Sequence, residues 1–147
     1  MTADGTVEPL VTVTDAPDPR VEAVVSAGLR RFNFEQSGID DSRPLAVVVS
    51  DPRTNEVLGG ITGRSSRGTL FIDLVYLPER LRGGGLGGRM LAMAEEEGRR
   101  RGCRTAVLWT LSYQAPAFYD RHGWQRFGEI PCEPPGASRI FFTKRFA

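Results

Sequence analysis

Arg82-Gly-Gly-Gly-Leu-Gly-Gly-Arg89 lies between two strongly periodic segments, and the reading of that run decides the fold. Before it, residues 69–77 (TLFIDLVYL) are apolar and rich in β-branched side chains, as a strand requires. After it, Leu86, Met90, Leu91, Ala94 and Gly98 recur at helical spacing. Arg99, Arg100 and Arg101 suit the negative end of that helix, and Gly102 ends it. The run is therefore a strand-to-helix junction made almost wholly of glycine. Without a Cβ, its backbone can approach a ligand closely. The amides at the helix start have no partner inside the helix, and the helix dipole favours an anion there. Together these make a cradle for a diphosphate. Arg82 and Arg89 can add charge to it.

Three other uses of such a run compete. A P-loop needs Gly-Lys-Ser/Thr, and Gly88-Arg-Met lacks the hydroxyl that binds magnesium. A dinucleotide fingerprint has the spacing of Gly83-Gly-Gly85-Leu-Gly-Gly88, but it opens the first βαβ unit, whereas three consecutive strands precede this run. Arginine–glycine RNA-binding boxes are repetitive and disordered, whereas this run is single and flanked by ordered elements. A glycine-rich turn with no ligand is the bland alternative.

Working outward, residues 10–14 alternate like a half-buried strand. A turn follows, then a helix from Pro19, capped by Asp18, to about Phe34. Residues 35–43 read as loop or a short second helix. Residues 44–50 (PLAVVVS) and 56–64 are strands joined by the turn 51–55. Beyond the second helix come a strand at 104–111, a short helix at 115–122 stopped by Gly123, and closing strands at 124–130 and 139–145. The order is β-α-β-β-β-α-β-α-β-β, an α/β domain with a mixed sheet flanked by helices. Residues 1–147 are expected to form a single domain, the length being typical of one.

Composition narrows the function. Net charge is +1, which gives no global attraction to nucleic acid or anionic lipid. Cys103, Cys132 and His122 are too few for a disulfide framework or an imidazole metal site, so no metal is expected. No run is apolar enough to span a membrane, and residues 1–9 lack the pattern of a signal peptide. A cytoplasmic enzyme, monomer or homodimer, is the expectation.

The junction resembles that of the Gcn5-related N-acetyltransferases, which carry Arg/Gln-x-x-Gly-x-Gly/Ala there. Arg82-Gly-Gly-Gly85-Leu-Gly87 matches position by position. Tyr119-Asp-Arg-His-Gly-Trp124 is similar to a second pattern of that family, Tyr-Glu-Lys-x-Gly-Phe, one helix and one strand downstream. The likeness covers about residues 69–127. It implies a splayed sheet and an enzyme that moves an acetyl group from acetyl-coenzyme A (acetyl-CoA) directly to a primary amine. A small-molecule acceptor is expected, with a peptide as the larger variant of the same chemistry.

The resemblance also implies roles. Arg82, Gly83, Gly84, Gly85, Leu86, Gly87, Gly88 and Arg89 would hold the pyrophosphate. The pantetheine arm would run between strands 69–77 and 104–111. The Leu77 amide would polarise the acetyl carbonyl, and Tyr119 would protonate the departing thiolate. Ser112 stands where relatives carry an asparagine and would hydrogen-bond the cofactor or cap the next helix. Pro78 lies four residues before Arg82 rather than three, so the loop is one residue longer.

Asp73 lies mid-strand between Ile72 and Leu74, where a carboxylate is costly unless paired or functional. It reads either as a structural carboxylate or as a general base working through water. Glu35, Asp40 and Asp41 form an acidic stretch that reads either as a solvated run or, as the resemblance implies for this loop, as the side facing a cationic acceptor, with Glu35 or Asp41 near its charge. A non-catalytic coenzyme A-binding module is the alternative; it would keep the cradle and have no need of Tyr119.

Overall fold

The computed structural model describes residues 4–147. It divides into two units, one ending at Ile39 and the other spanning Asp40–Ala147.

The first unit contains helix α1 (Pro19–Ser37). Asp18 caps it by accepting the Arg20 amide at 2.8 Å, with Pro19 at the first position. Gly38 closes it in the left-handed region, φ 72°, its amide bonded to the Phe34 carbonyl. The helix therefore runs one turn beyond the expected end at Phe34, and Glu35 lies on it rather than in a loop. Residues 10–14, expected as a strand, have no regular secondary structure. Leu10, Val11 and Val13 are each at least 90% exposed. Alternation makes a strand possible, but only cross-strand pairing makes one.

The second unit is a six-stranded sheet with helices. Its elements are β1 (Arg43–Ser50), β2 (Val57–Ser66), β3 (Thr69–Tyr76), α2 (Leu86–Arg100), β4 (Thr105–Leu111), α3 (Pro116–Arg121), β5 (Gln125–Pro131) and β6 (Ser138–Arg145). The strand order is β1-β2-β3-β4-β6-β5, with β3–β4 parallel and every other pair antiparallel. The mixed sheet and the element order from the first helix onward are as the sequence implies.

The core lies on the α2 side of the sheet. Leu45, Ile61, Leu70, Ile72, Ala106, Leu108, Ile140 and Phe142 meet Met90, Leu91 and Ala94 of α2. Gly98 lets α2 approach the sheet, since a Cβ there would lie 3.1 Å from Leu70 Cδ2. Burial of about ten such side chains is the main driving force of the fold.

What shapes the sheet for function is the parting of β3 from β4. They pair only from Thr69↔Thr105 to Phe71↔Val107. On its other edge β3 pairs with β2 as Ile72↔Gly63 and then Leu74↔Thr62, which leaves Asp73 as an extra, unmatched residue. Such a bulge bends its strand and raises the local twist. It falls two residues past the last β3–β4 pair, so the end of β3 swings away and a wedge opens between 73–76 and 109–111. Glycines in β2 permit the bend, because a Cβ on Gly59 or Gly63 would meet the carbonyl of Tyr76 or Phe71. No helix among the described residues is long and apolar enough to cross a membrane.

Candidate active site

The open wedge leads to the glycine run. The extra loop residue is taken up by a 3₁₀ turn, Glu79–Leu81, closed by bonds from the Leu81 amide to the Pro78 carbonyl and from the Arg82 amide to the Glu79 carbonyl. The Arg82 side chain then folds back, its Nε donating to the Leu77 carbonyl at 2.8 Å. Arg82 thus clamps the strand end that carries the Leu77 amide, leaving its other guanidinium nitrogens for an anion.

Gly83 and Gly85 have φ of 82° and 85°, and Gly85 is the N-cap of α2 without any side-chain cap. Residues other than glycine adopt such φ values only at a cost. The first helical bond runs from the Arg89 amide to the Gly85 carbonyl at 3.1 Å. Among the described residues, the six amides from 83 to 88 make no hydrogen bond. A Cβ on Gly83, Gly84 or Gly85 would meet no atom within 4 Å, so the space above these amides is open. Unpaired donors, positive φ and open space together fit a diphosphate.

Gly87 and Gly88 face the protein instead. A Cβ on Gly87 would lie 3.5 Å from the Phe118 ring, and one on Gly88 would lie 3.0 Å from His122 Cε1. Phe118 and His122, one helical turn apart on α3, thus pack on the first turn of α2, their ring centroids 4.6 Å apart. The sequence marked His122 only as a helix-end residue and did not mark Phe118, so this support of the glycine run was not read from it. Their spacing of four was readable, but the glycines they meet lie thirty residues away.

Tyr119, next to Phe118, is 5% exposed and packs edge-on against Trp124 and at a tilt against Phe142. Burial pushes its phenol up to about 12 from the usual 10.0. Its hydroxyl makes no hydrogen bond among the described residues, so it is free to donate to a ligand. Leu77, Arg82, the cradle and the helix bearing Tyr119 are therefore brought together.

Ser112 has a different local setting. Its Oγ accepts the Ser138 amide at 3.0 Å and its own amide donates to the Ser138 carbonyl at 2.8 Å, tying the end of β4 to β6. It does not cap α3, whose N-terminus at Ala115 has no side-chain cap. Residues 113–115 intervene as a turn held by Gln114, whose Oε1 accepts from the Leu111 amide and the Thr110 hydroxyl. Asp73, read as a mid-strand carboxylate, is instead the exposed bulge residue at the mouth of the wedge. Asp41 lies at the opposite, closed end of the sheet, where its carboxylate accepts the Arg67 amide at 2.9 Å in the β2–β3 hairpin. Glu35 belongs to the first unit and is exposed.

Comparison with known proteins gives a consistent result. The model of the acetyltransferase (GNAT) family matches residues 14–124. Acetyltransferase Atu2258 of Agrobacterium fabrum is 34% identical over 134 residues, spanning 91% of this chain and 97% of its own. Blasticidin-S acetyltransferase of Streptomyces morookaense is 33% identical, spanning 92% and 94%. A crystal structure from Agrobacterium tumefaciens superposes with a TM-score of 0.87 at 33% identity, covering 94% of this chain and 100% of that one.

Proposed function

The chain belongs to the GNAT acetyltransferase family, and from that premise we propose that it carries the acetyl group of acetyl-CoA directly to a primary amine on a small molecule. The observation that carries the cofactor side of this reading is the run of six unpaired amides at 83–88, opening into free space beside Arg82. Bound there, acetyl-CoA supplies a thioester already activated toward an amine.

The chain's residues account for the rest. Arg82 and Arg89 offset the diphosphate charge, and the cradle amides satisfy its oxygens. The Leu77 amide, held by the Arg82 clamp, stabilises negative charge building on the acyl oxygen. Asp73, projecting from the bulge at the wedge mouth, accepts through water the proton lost by the amine. Tyr119 donates a proton to the sulfur that leaves. Cys103 is buried next to the start of β4, at the closed end of the sheet, and no cysteine lies on the glycine run, on residues 73–77 or on α3, which favours direct transfer over an acyl-enzyme.

A small-molecule acceptor is favoured because a relative matched over nearly its whole length is named for acetylating blasticidin S. The expected part for Asp41 in attracting a cationic acceptor is not carried forward, because Asp41 lies at the closed end of the sheet with its carboxylate on the Arg67 amide.

Acetyl-CoA is expected to raise the melting temperature of the purified protein, because a ligand that binds only the folded state adds RT ln(1 + [L]/Kd). At 100 times Kd this is about 2.7 kcal/mol, worth roughly 5–10 °C in a chain of this length. NAD and ATP should shift it far less, and a melt moved by NAD but not by acetyl-CoA overturns the cofactor reading. Thiol release from acetyl-CoA against amines, polyamines, aminonucleosides and peptides then identifies the acceptor. Turnover confined to peptides would reject the small-molecule half.

A further inference from the structure

Lys144 sits where β6, α2 and α3 meet, outside the cradle and away from the reacting groups. Its ammonium lies 2.6 Å from Glu95 Oε1 of α2 and donates to the His122 carbonyl, at the C-terminal end of α3, at 2.9 Å. The Glu95 side chain is 6% exposed. With Glu95 buried and Lys144 23% exposed, the pair is a costly way to join two elements, since apolar side chains of similar volume often give equal or greater stability. What apolar side chains would not supply is direction. An ammonium held by a carboxylate fixes the position of the helix-end carbonyl it donates to.

Helix α3 needs an external reference of this kind. It has six residues and no side-chain cap, so its own hydrogen bonds hardly define its orientation. Several contacts set it from outside: Phe118 and His122 on Gly87 and Gly88, Tyr119 on Trp124 and Phe142, the Asp120–Arg126 ion pair to β5 at 2.7 Å, and Lys144 on the His122 carbonyl. Of the two ion pairs, only the one through Lys144 reaches α2. Arg99 also approaches the same Glu95 oxygen, at 3.9 Å, but it stands on α2 and its side chain is 41% exposed. It can share the charge of Glu95, whereas only Lys144 carries the link on to α3.

We propose that Lys144 and Glu95 are positioning residues for the proton donor: their ion pair pins the end of α3 to the cofactor-binding helix and so keeps the Tyr119 hydroxyl aimed at the departing sulfur. The proposal rests on the reading of Tyr119 as that donor. It assigns the pair to alignment rather than to stability or cofactor affinity, which makes the three separable.

The test is the double variant Glu95→Leu, Lys144→Met, which replaces the pair with apolar side chains. Its melting temperature should equal or exceed that of wild type, and its affinity for acetyl-CoA should stay within about 3-fold. Single-turnover acetyl transfer should slow by about 10-fold or more, misplacement by an ångström being able to cost on the order of 100-fold. In a Tyr119→Phe background the same swap should change the rate by less than about 2-fold, because the group it aligns is gone. Glu95→Gln, which keeps the shape and removes the charge, is a second variant in case the double swap does not fold. It should show the same split with a drop of about 3-fold. If a folded variant transfers at the wild-type rate while Tyr119→Phe is slow, the positioning role is overturned and the reading of Tyr119 stands. Should Tyr119→Phe itself react at full speed, the donor reading fails and the proposal fails with it. A swap that slows the Tyr119→Phe enzyme as much as wild type shows that the pair acts elsewhere, and also rejects the proposal.

Discussion

Gly85→Val is expected to abolish binding of coenzyme A while leaving the sheet and its core folded. Gly85 has φ of 85° and is the N-cap from which α2 starts. A β-branched residue is a genuine outlier at such φ, so valine forces the turn to rebuild. Rebuilding rotates the amides of 84–87, which point together only because Gly83 and Gly85 adopt the left-handed conformation. Each hydrogen bond to a charged oxygen is worth roughly 1.5–3 kcal/mol, so losing two of them weakens binding by about 100-fold or more. The protein has little reason to unfold, since a Cβ at Gly85 would meet no atom within 4 Å. Gly84→Ala is the internal control, because Gly84 has no positive φ and is equally open. It should cost only a few-fold. Isothermal titration with coenzyme A, paired with a melt to verify folding, decides the matter. A folded Gly85→Val protein that binds as wild type would remove the cradle from residues 83–88. Gly87→Val should behave differently: its side chain would press on the Phe118 ring, so catalysis suffers through α3 more than binding does.

The contrast between Gly85 and Gly87 shows where sequence carries the site and where it does not. Glycine at a strand-to-helix junction reports a local demand on φ, and local demands are written in neighbouring letters. Gly83 and Gly85 were legible for that reason, as were the caps at Asp18 and Gly102. Gly87 and Gly88 look the same in the sequence, but their demand is set by Phe118 and His122 from a distant helix. Asp73 was legible as an anomaly, a carboxylate inside an apolar strand, though not as a bulge. The bulge depends on register with β2, which the letters of β3 alone do not contain, and on glycines of β2 that let the strand bend. The supposed strand at 10–14 failed for the same reason in reverse, because alternation says nothing about whether a partner edge exists. Glu95 and Lys144 were invisible. A glutamate on a charged helix and a lysine near a strand end are ordinary until the fold places them 2.6 Å apart.

Tyr119→Phe should slow acetyl transfer by about 100-fold without weakening cofactor binding or the fold. General acids contribute on the order of 10²–10⁴-fold, and burial places Tyr119 toward the lower end. Burial pushes its phenol up to about 12, well above an ordinary thiol, which makes it a sluggish acid. The same dry surroundings also raise the basicity of the leaving thiolate, which keeps the transfer useful. The substitution removes a hydroxyl that makes no hydrogen bond among the described residues, so the melting temperature should hold or rise slightly. Alkaline pH supplies an independent readout. Below pH 10 the phenol is protonated both folded and unfolded, so Tyr119 adds no pH dependence to stability there. As pH climbs from 10 toward 12 the unfolded chain loses the Tyr119 proton first, and the wild-type fold loses stability. Tyr119→Phe should escape that part of the loss. Because product release can mask the chemical step, the rate is to be measured in a single turnover. An unchanged single-turnover rate, combined with a lower melting temperature, would show that the tyrosine serves packing and that the thiolate takes its proton from water.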